Sequence, residues 1–210
     1  MTAAERVNDV TPTAVGAEAA KIGPGVFVAV AGPSGAGKDT IINYAREKLA
    51  GRVEFVFARR VITRTADANS EDHDSLAPNA FAAAERDGAF SLVWEAHDLR
   101  YGLPASIDTE IGRGRVVIAN ISRQIIPVLD ARYEKFGLVA ISAHRDVIAK
   151  RLAARGRESE EAIAKRLGRV AKEDLIRADA IHIENSGPKE NAGERFVAML
   201  EAAVVTAAAS

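Results

Sequence analysis

The sequence predicts a three-layer α/β fold with a parallel central sheet. Three observations predict it. Strand-like runs alternate with helix-like runs along the chain, a glycine-rich loop joins the first strand to the first helix, and 210 residues suit one such domain. Alternation of this kind places helices on both faces of the sheet. It gathers ligand-binding loops at the carboxyl ends of the strands.

The elements follow in order. Residues 26–31, VFVAVA, form an unbroken apolar run, the pattern of a short strand buried on both faces. Gly32-Pro33-Ser34-Gly35-Ala36-Gly37-Lys38 comes next, of the form G-x-x-x-x-G-K. A helix is expected over 39–50, with Ile41, Ile42, Tyr44, Ala45 and Leu49 on one side. Further strands are expected at 53–57, 89–94, 115–119, 138–142 and 180–183. Further helices are expected at 78–86, 104–113, 122–133, 145–154, 159–178 and 189–205. Residues 58–76 are polar and irregular, and 155–161 are dense in charge. We expect a flexible N-terminal extension over 1–24 and a single domain over 25–207.

Composition excludes several classes. Hydrophobic residues make up 48% and charged residues 27%, as in an ordinary globular chain. The formal net charge is −1, so no global basic field favours nucleic acid. There is no cysteine, which removes disulfides, thiolate metal sites and cysteine nucleophiles. No apolar stretch approaches the roughly 20 residues of a membrane span. The first residues lack a basic start and an apolar signal core, so a cytoplasmic location is expected.

The loop at 32–38 predicts a nucleoside triphosphate ligand. Its glycines let backbone N–H groups turn inward and approach phosphate oxygens. The helix that follows adds unsatisfied donors and the positive end of its dipole. Lys38 can reach the β- and γ-phosphates as a point charge. One position is irregular. Asp39 stands where Ser or Thr is usual, and Thr40 comes one residue later. One residue along a helix turns the side chain by about 100°, so Thr40 does not simply replace the missing hydroxyl. A carboxylate beside a triphosphate calls for a cation between them. We therefore expect Asp39 to hold Mg²⁺ directly or through water.

Other constellations surround this loop. Arg59-Arg60-Val61-Ile62-Thr63-Arg64 brings three guanidinium groups together, the side chains best shaped for phosphate oxygens; a solvated basic surface is the alternative. Ser70-Glu71-Asp72-His73-Asp74 offers carboxylates that could accept sugar hydroxyl bonds or orient an arginine. Residues 99–104 read as a turn entering a helix. Tyr101 there is either a phosphate donor or a core-edge aromatic. Trp94 and His97 read as structural. Arg151, Arg155, Arg157, Arg166 and Arg169 flank a break at Gly156. They could swing over a bound triphosphate, or pair with local glutamates along helix faces, as expected for Arg151 and Arg169.

Taken together, Gly32 to Asp39, Arg60-Val61-Ile62-Thr63-Arg64, Ser70-Glu71-Asp72-His73, Tyr101-Gly102 and Arg155-Gly156-Arg157-Glu158 carry a resemblance. The chain resembles the guanylate kinase family of P-loop kinases over roughly residues 26 to 185. Within it, the chain is most similar to the ribose 1,5-bisphosphate phosphokinases of phosphonate catabolism, with the Gly-Lys-Asp step the most telling. Departures from guanylate kinases agree with this. Asp67 stands where a GMP-phosphate arginine is expected, and 72–75 lack an acceptor-segment tyrosine. Residues 118–122 lack the Asp-x-Asp that helps read guanine.

The resemblance implies a P-loop NTPase kinase fold with an acceptor-binding region at 58–103 and a helical lid at 155–170. It implies ATP and Mg²⁺ as cofactors and transfer of a phosphoryl group from ATP to ribose 1,5-bisphosphate, giving 5-phospho-α-D-ribose 1-diphosphate. Lys38, Arg155 and Arg166 would be catalytic. Gly32, Pro33, Ser34, Gly35, Ala36, Gly37, Lys38, Asp39, Thr40 and Arg157 would bind the nucleotide, with Asp39 on the metal. Arg60, Arg64, Glu71 and Tyr101 would bind the acceptor. A small-molecule substrate is implied, without nucleic-acid or membrane partner, and a homodimer is compatible. Two alternatives stay open: a guanylate kinase-type nucleoside monophosphate kinase, and a kinase-like binding module without catalysis.

Overall fold

Strand β1 (Val26–Ala31) is buried at all six positions, as an apolar run with no polar face requires. In the computed structural model, which describes residues 20–63, 73–96, 98–154 and 177–208, it is the centre of a five-stranded sheet. The order is β2 (Phe55–Phe57), β7 (Val116–Asn120), β1, β8 (Phe136–Ser142) and β9 (Ile181–Glu184), all parallel. The expected parallel sheet is therefore present, with helices on both faces.

Period-two alternation divides the core. Val26, Val28 and Val30 of β1, with Val116 and Ile118 of β7 and Val139 and Ile141 of β8, face helices α1 (Lys38–Lys48) and α6 (Lys189–Ala208). Ile41, Ile42 and Ala45 of α1 and Phe196 and Leu200 of α6 complete that layer. Phe27, Ala29 and Ala31 face the other way, toward Ile107 and Ile111 of α3 (Ser106–Gly112) and Leu129 of α4 (Ile126–Arg132). Helix α5 (Arg145–Ala154) buries Ile148 and Leu152.

A second sheet, not expected from the sequence, lies on the α3–α4 side. Its order is β4 (His73–Ser75), β3 (Arg60–Ile62), β6 (Leu99–Pro104), β5 (Phe90–Ala96), with β5 and β6 antiparallel. Helix α2 (Pro78–Arg86) covers it, and Phe81 stacks on Phe90 at 4.6 Å. Three expectations are corrected here. The strand at 89–94 belongs to this sheet rather than the parallel one. Residues 99–104 form a strand rather than a turn, because Gly102 lets the Phe90 ring approach where a Cβ would collide, and Pro104 stands at the strand's last residue. Residues 58–76, read as irregular, supply two three-residue strands.

Element ends shift by a few residues elsewhere. The helix expected over 122–133 divides into a 3₁₀ turn (Arg123–Ile125) and α4, whose first turn holds Pro127. Of the helix expected over 159–178, only Arg177 and Ala178 fall among the described residues, and neither is helical. Ile22, within the expected N-terminal extension, stands opposite Tyr133 in a parallel bridge, donating to the Arg132 carbonyl and accepting from the Glu134 N–H. Among the described residues, no helix is long and apolar enough to cross a membrane.

Candidate active site

The glycine-rich loop leaves the carboxyl end of β1 and enters α1. At Gly32, φ is 145° and an added Cβ would collide with the Ile141 carbonyl oxygen of β8. Gly37 caps α1 at φ 88°, in the left-handed region that glycine tolerates without penalty. Ala36 between them is fully buried. The Lys38 ammonium folds back across the loop, donating to the carbonyls of Gly32 at 2.9 Å and Pro33 at 3.0 Å. Ser34 and Thr40 are exposed.

Two side chains brace the loop from behind. Asn185, just after β9 and 2% exposed, donates from Nδ2 to the Ala36 carbonyl at 2.8 Å. Arg151 of α5 donates from Nη1 to the same carbonyl at 3.2 Å and from Nη2 to the Asn185 carbonyl at 2.8 Å. The guanidinium thus spans backbone carbonyls of the loop and of β9's exit, a contact the sequence did not predict; Glu158, Glu160 and Glu161, the nearby glutamates, lie outside the described residues.

Asp39 opens the first turn of α1, where a carboxylate meets the positive helix end. Its Oδ1 accepts a 2.7 Å hydrogen bond from Asn120 Nδ2, at the carboxyl end of β7. Arg60 Nη2 of β3 lies 3.6 Å from the same oxygen, and that arginine side chain is only 14% exposed. Both contacts fall on Oδ1, and Oδ2 takes no part in them. The donor set fits Mg²⁺: a hard carboxylate oxygen at the phosphate loop, with its partner oxygen already anchored. Among the described residues, no group of three or more His, Asp or Glu could hold a metal alone, so bound phosphate and water would complete any shell.

The second sheet carries the remaining candidates. Tyr101 of β6 is opposite Ile62 of β3 and stacks on Trp94 at 5.4 Å. Arg59 pairs with Asp74 at 3.1 Å, and His73 is buried opposite Arg60 in the β3–β4 register. Arg60 therefore reaches the phosphate loop, whereas Arg59 is tied to its own sheet. Arg64, Glu71, Arg155, Arg157 and Arg166 lie outside the described residues.

A polar cluster missed in the sequence joins this sheet to the core. Asp108 Oδ1 of α3 accepts from Ser91 Oγ at 2.7 Å and from the Tyr133 hydroxyl at 2.8 Å, and Arg132 pairs with its Oδ2. Burial pushes the Tyr133 hydroxyl's pKa well above the ordinary tyrosine value. Its ring stacks on Phe27 of β1 at 5.1 Å.

A phosphate loop between a central parallel strand and a helix, with a second sheet delivering an arginine to the loop carboxylate, is the architecture of a P-loop kinase. Comparison with known proteins narrows the class. The chain is 53% identical over 163 residues to the ribose 1,5-bisphosphate phosphokinase PhnN of Brucella melitensis biotype 2 (strain ATCC 23457), covering 78% of this chain and 85% of that one. It is 49% identical over 180 residues to the ribose 1,5-bisphosphate phosphokinase PhnN of Chelativorans sp. (strain BNC1), covering 85% and 86%. A guanylate kinase from Anaplasma phagocytophilum shares the fold, with a TM-score of 0.60 at 18% identity over 85% of each chain. No protein-family model matches the chain. The chain belongs to the ribose 1,5-bisphosphate phosphokinase family.

Proposed function

We propose that the protein transfers the γ-phosphoryl group of ATP to the 1-phosphate of ribose 1,5-bisphosphate, giving 5-phospho-α-D-ribose 1-diphosphate within phosphonate catabolism. The observation that carries a transfer site is the contact of Arg60 with Asp39, 3.6 Å apart, which joins the second sheet to the phosphate loop. The acceptor's identity rests on the relatives, which are named for this substrate.

An oxygen of the acceptor's 1-phosphate forms the new bond to the γ-phosphorus, and the bond from that phosphorus to the β,γ-bridging oxygen breaks as ADP leaves. A phosphate monoester has a second pKa of about 6 and is already largely ionised at neutral pH. No general base is therefore needed. Positioning and charge neutralisation carry the rate. When bound, Mg²⁺ would supply positive charge to neutralise the developing phosphate charge. The backbone of Gly32 to Thr40 cradles the donor, and Lys38 exchanges its two loop carbonyls for phosphate oxygens. Asp39 would hold the metal, directly or through water. Arg60 and Tyr101 hold the acceptor. Arg64 and Glu71 on the acceptor side, and Arg155, Arg157 and Arg166 on the donor side, belong to this proposal on the sequence alone. So do the acceptor region at 58–103 and the lid at 155–170. We place the reaction in the cytoplasm.

An acceptor screen tests this. Purified protein with ATP and Mg²⁺ is given ribose 1,5-bisphosphate, GMP, or neither. ADP release is expected with ribose 1,5-bisphosphate. Turnover of GMP alone overturns the acceptor, and nucleotide binding without turnover of either returns the chain to a binding module.

A further inference from the structure

In P-loop NTPases the metal is held by a hydroxyl on the phosphate loop and a separate aspartate. Here the residue after Lys38 is the carboxylate Asp39, and the group facing it from the end of the neighbouring strand β7 is an amide, Asn120. We propose that Asn120 is the positioning residue for Asp39, and that the two are an exchanged pair, with the carboxylate moved onto the loop helix and the neutral group placed on the strand.

The geometry gives each half of the pair a reason. Asn120 is 6% exposed and stands opposite Val30 in the β1–β7 register. The next residue's N–H bonds the Val30 carbonyl at 3.0 Å, so the strand end is locked beside the point where the loop departs. From there Nδ2 reaches Asp39 Oδ1 at 2.7 Å. A hydrogen bond to one carboxylate oxygen fixes the side chain's rotation and leaves the direction of Oδ2 defined. An aspartate at 120 would replace the Nδ2 donor with a second acceptor, and the 2.7 Å bond to Asp39 would be lost. A hydroxyl at 39 with Asn120 retained would leave this pair without a carboxylate. The two positions therefore have to change together. This inference rests on the metal role of Asp39 in the proposed function.

The test measures metal binding rather than turnover. Mn²⁺ binding to the full chain with saturating ADP is followed by electron paramagnetic resonance, and ADP affinity in EDTA is measured beside it. Asn120→Leu keeps the size and removes the donor; Asn120→Ser serves if the leucine variant does not fold. Partners that orient a metal-ligating group are worth about 10–100-fold in metal affinity, so Mn²⁺ affinity is expected to fall by about tenfold or more. ADP affinity in EDTA should hold. The double variant Asp39→Thr/Asn120→Asp should bind Mn²⁺ more tightly than either single variant. Equal Mn²⁺ affinity in Asp39→Asn and the unaltered protein overturns the metal role beneath the proposal. Weakened binding in Asp39→Asn with none in the Asn120 variant overturns the positioning role alone. A double variant no better than its singles overturns the exchange.

Discussion

Arg151 is the residue whose removal most sharply separates two views of the site. Arg151→Met keeps much of the aliphatic stem and deletes two hydrogen bonds, to the Ala36 carbonyl at 3.2 Å and the Asn185 carbonyl at 2.8 Å. Hydrogen bonds from charged donors contribute about 1.5–3 kcal/mol each. The longer bond counts for less, because the Ala36 carbonyl keeps its 2.8 Å bond from Asn185. The part-buried setting lowers the sum further, leaving about 2 kcal/mol. At about 2–4 °C per kcal/mol for a chain of this size, Tm should fall by roughly 4–8 °C. The loop loses a support at Ala36, so ADP affinity should fall as well, by about tenfold, equivalent to about 1.4 kcal/mol. Differential scanning calorimetry and titration calorimetry read the two quantities. A helix-face ion pair would contribute only about 0.3–0.5 kcal/mol and fade with salt. A Tm within about 1 °C of the unaltered protein, together with unchanged ADP affinity, refutes the brace.

Two further outcomes follow from the same geometry. Lys38→Ala should leave the circular dichroism spectrum and Tm close to those of the unaltered protein, since the side chain is part-exposed at the loop and its bonds to Gly32 and Pro33 go to loop carbonyls. Its kcat should fall by at least about 10²–10³, and wild-type-like turnover removes the loop from the mechanism. Tyr133→Phe deletes one hydroxyl from the Asp108 cluster and should cost about 1 kcal/mol of stability without changing kcat. Because the folded hydroxyl's pKa is raised above the unfolded value near 10, its contribution is intact below about pH 10 and lost as pH rises toward the folded value. The Tm of the unaltered protein should therefore decline more steeply above about pH 10 than that of the phenylalanine variant, and parallel declines refute the assignment.

The parts of the fold legible in the sequence are those dominated by local pattern. The run VFVAVA followed by G-x-x-x-x-G-K could be little other than a buried strand entering a phosphate loop, and the structure has both. The second sheet was not legible. Its strands at Arg60–Ile62 and His73–Ser75 are three residues long, too short for an alternation to show; the first is held by pairing with β6 and the second by pairing with the first. Gly102 and Pro104 are ordinary turn signals; the approach of the Phe90 ring accounts for the glycine within the strand, and the proline stands at the strand's last residue. The site divides in the same way. Lys38 and Asp39 announce themselves by position in a motif, whereas Arg151 and Asn185 meet the loop across 115 and 149 residues of chain. Asn120 appeared in the sequence only as the absence of a guanine-reading aspartate; its bond to Asp39 spans 81 residues. The Asp108 cluster likewise joins groups up to 42 residues apart, which no spacing rule connects.

The glycine-rich loop has a thermodynamic consequence of its own. Its course is set at Gly32 by the β8 backbone, at Ala36 by Asn185 and Arg151, and at Gly37 by the start of α1. Fixing one residue's backbone costs about 1–2 kcal/mol of conformational entropy. In this chain much of that cost falls on folding, before any nucleotide arrives. Association is left to offset less lost loop freedom, and rigidity of this kind raises affinity without adding a contact. The seven residues of the motif cut from the chain would carry the same amides and the same lysine, yet bind a triphosphate poorly. The anion site belongs to the sheet and to β9's exit as much as to the loop that names it.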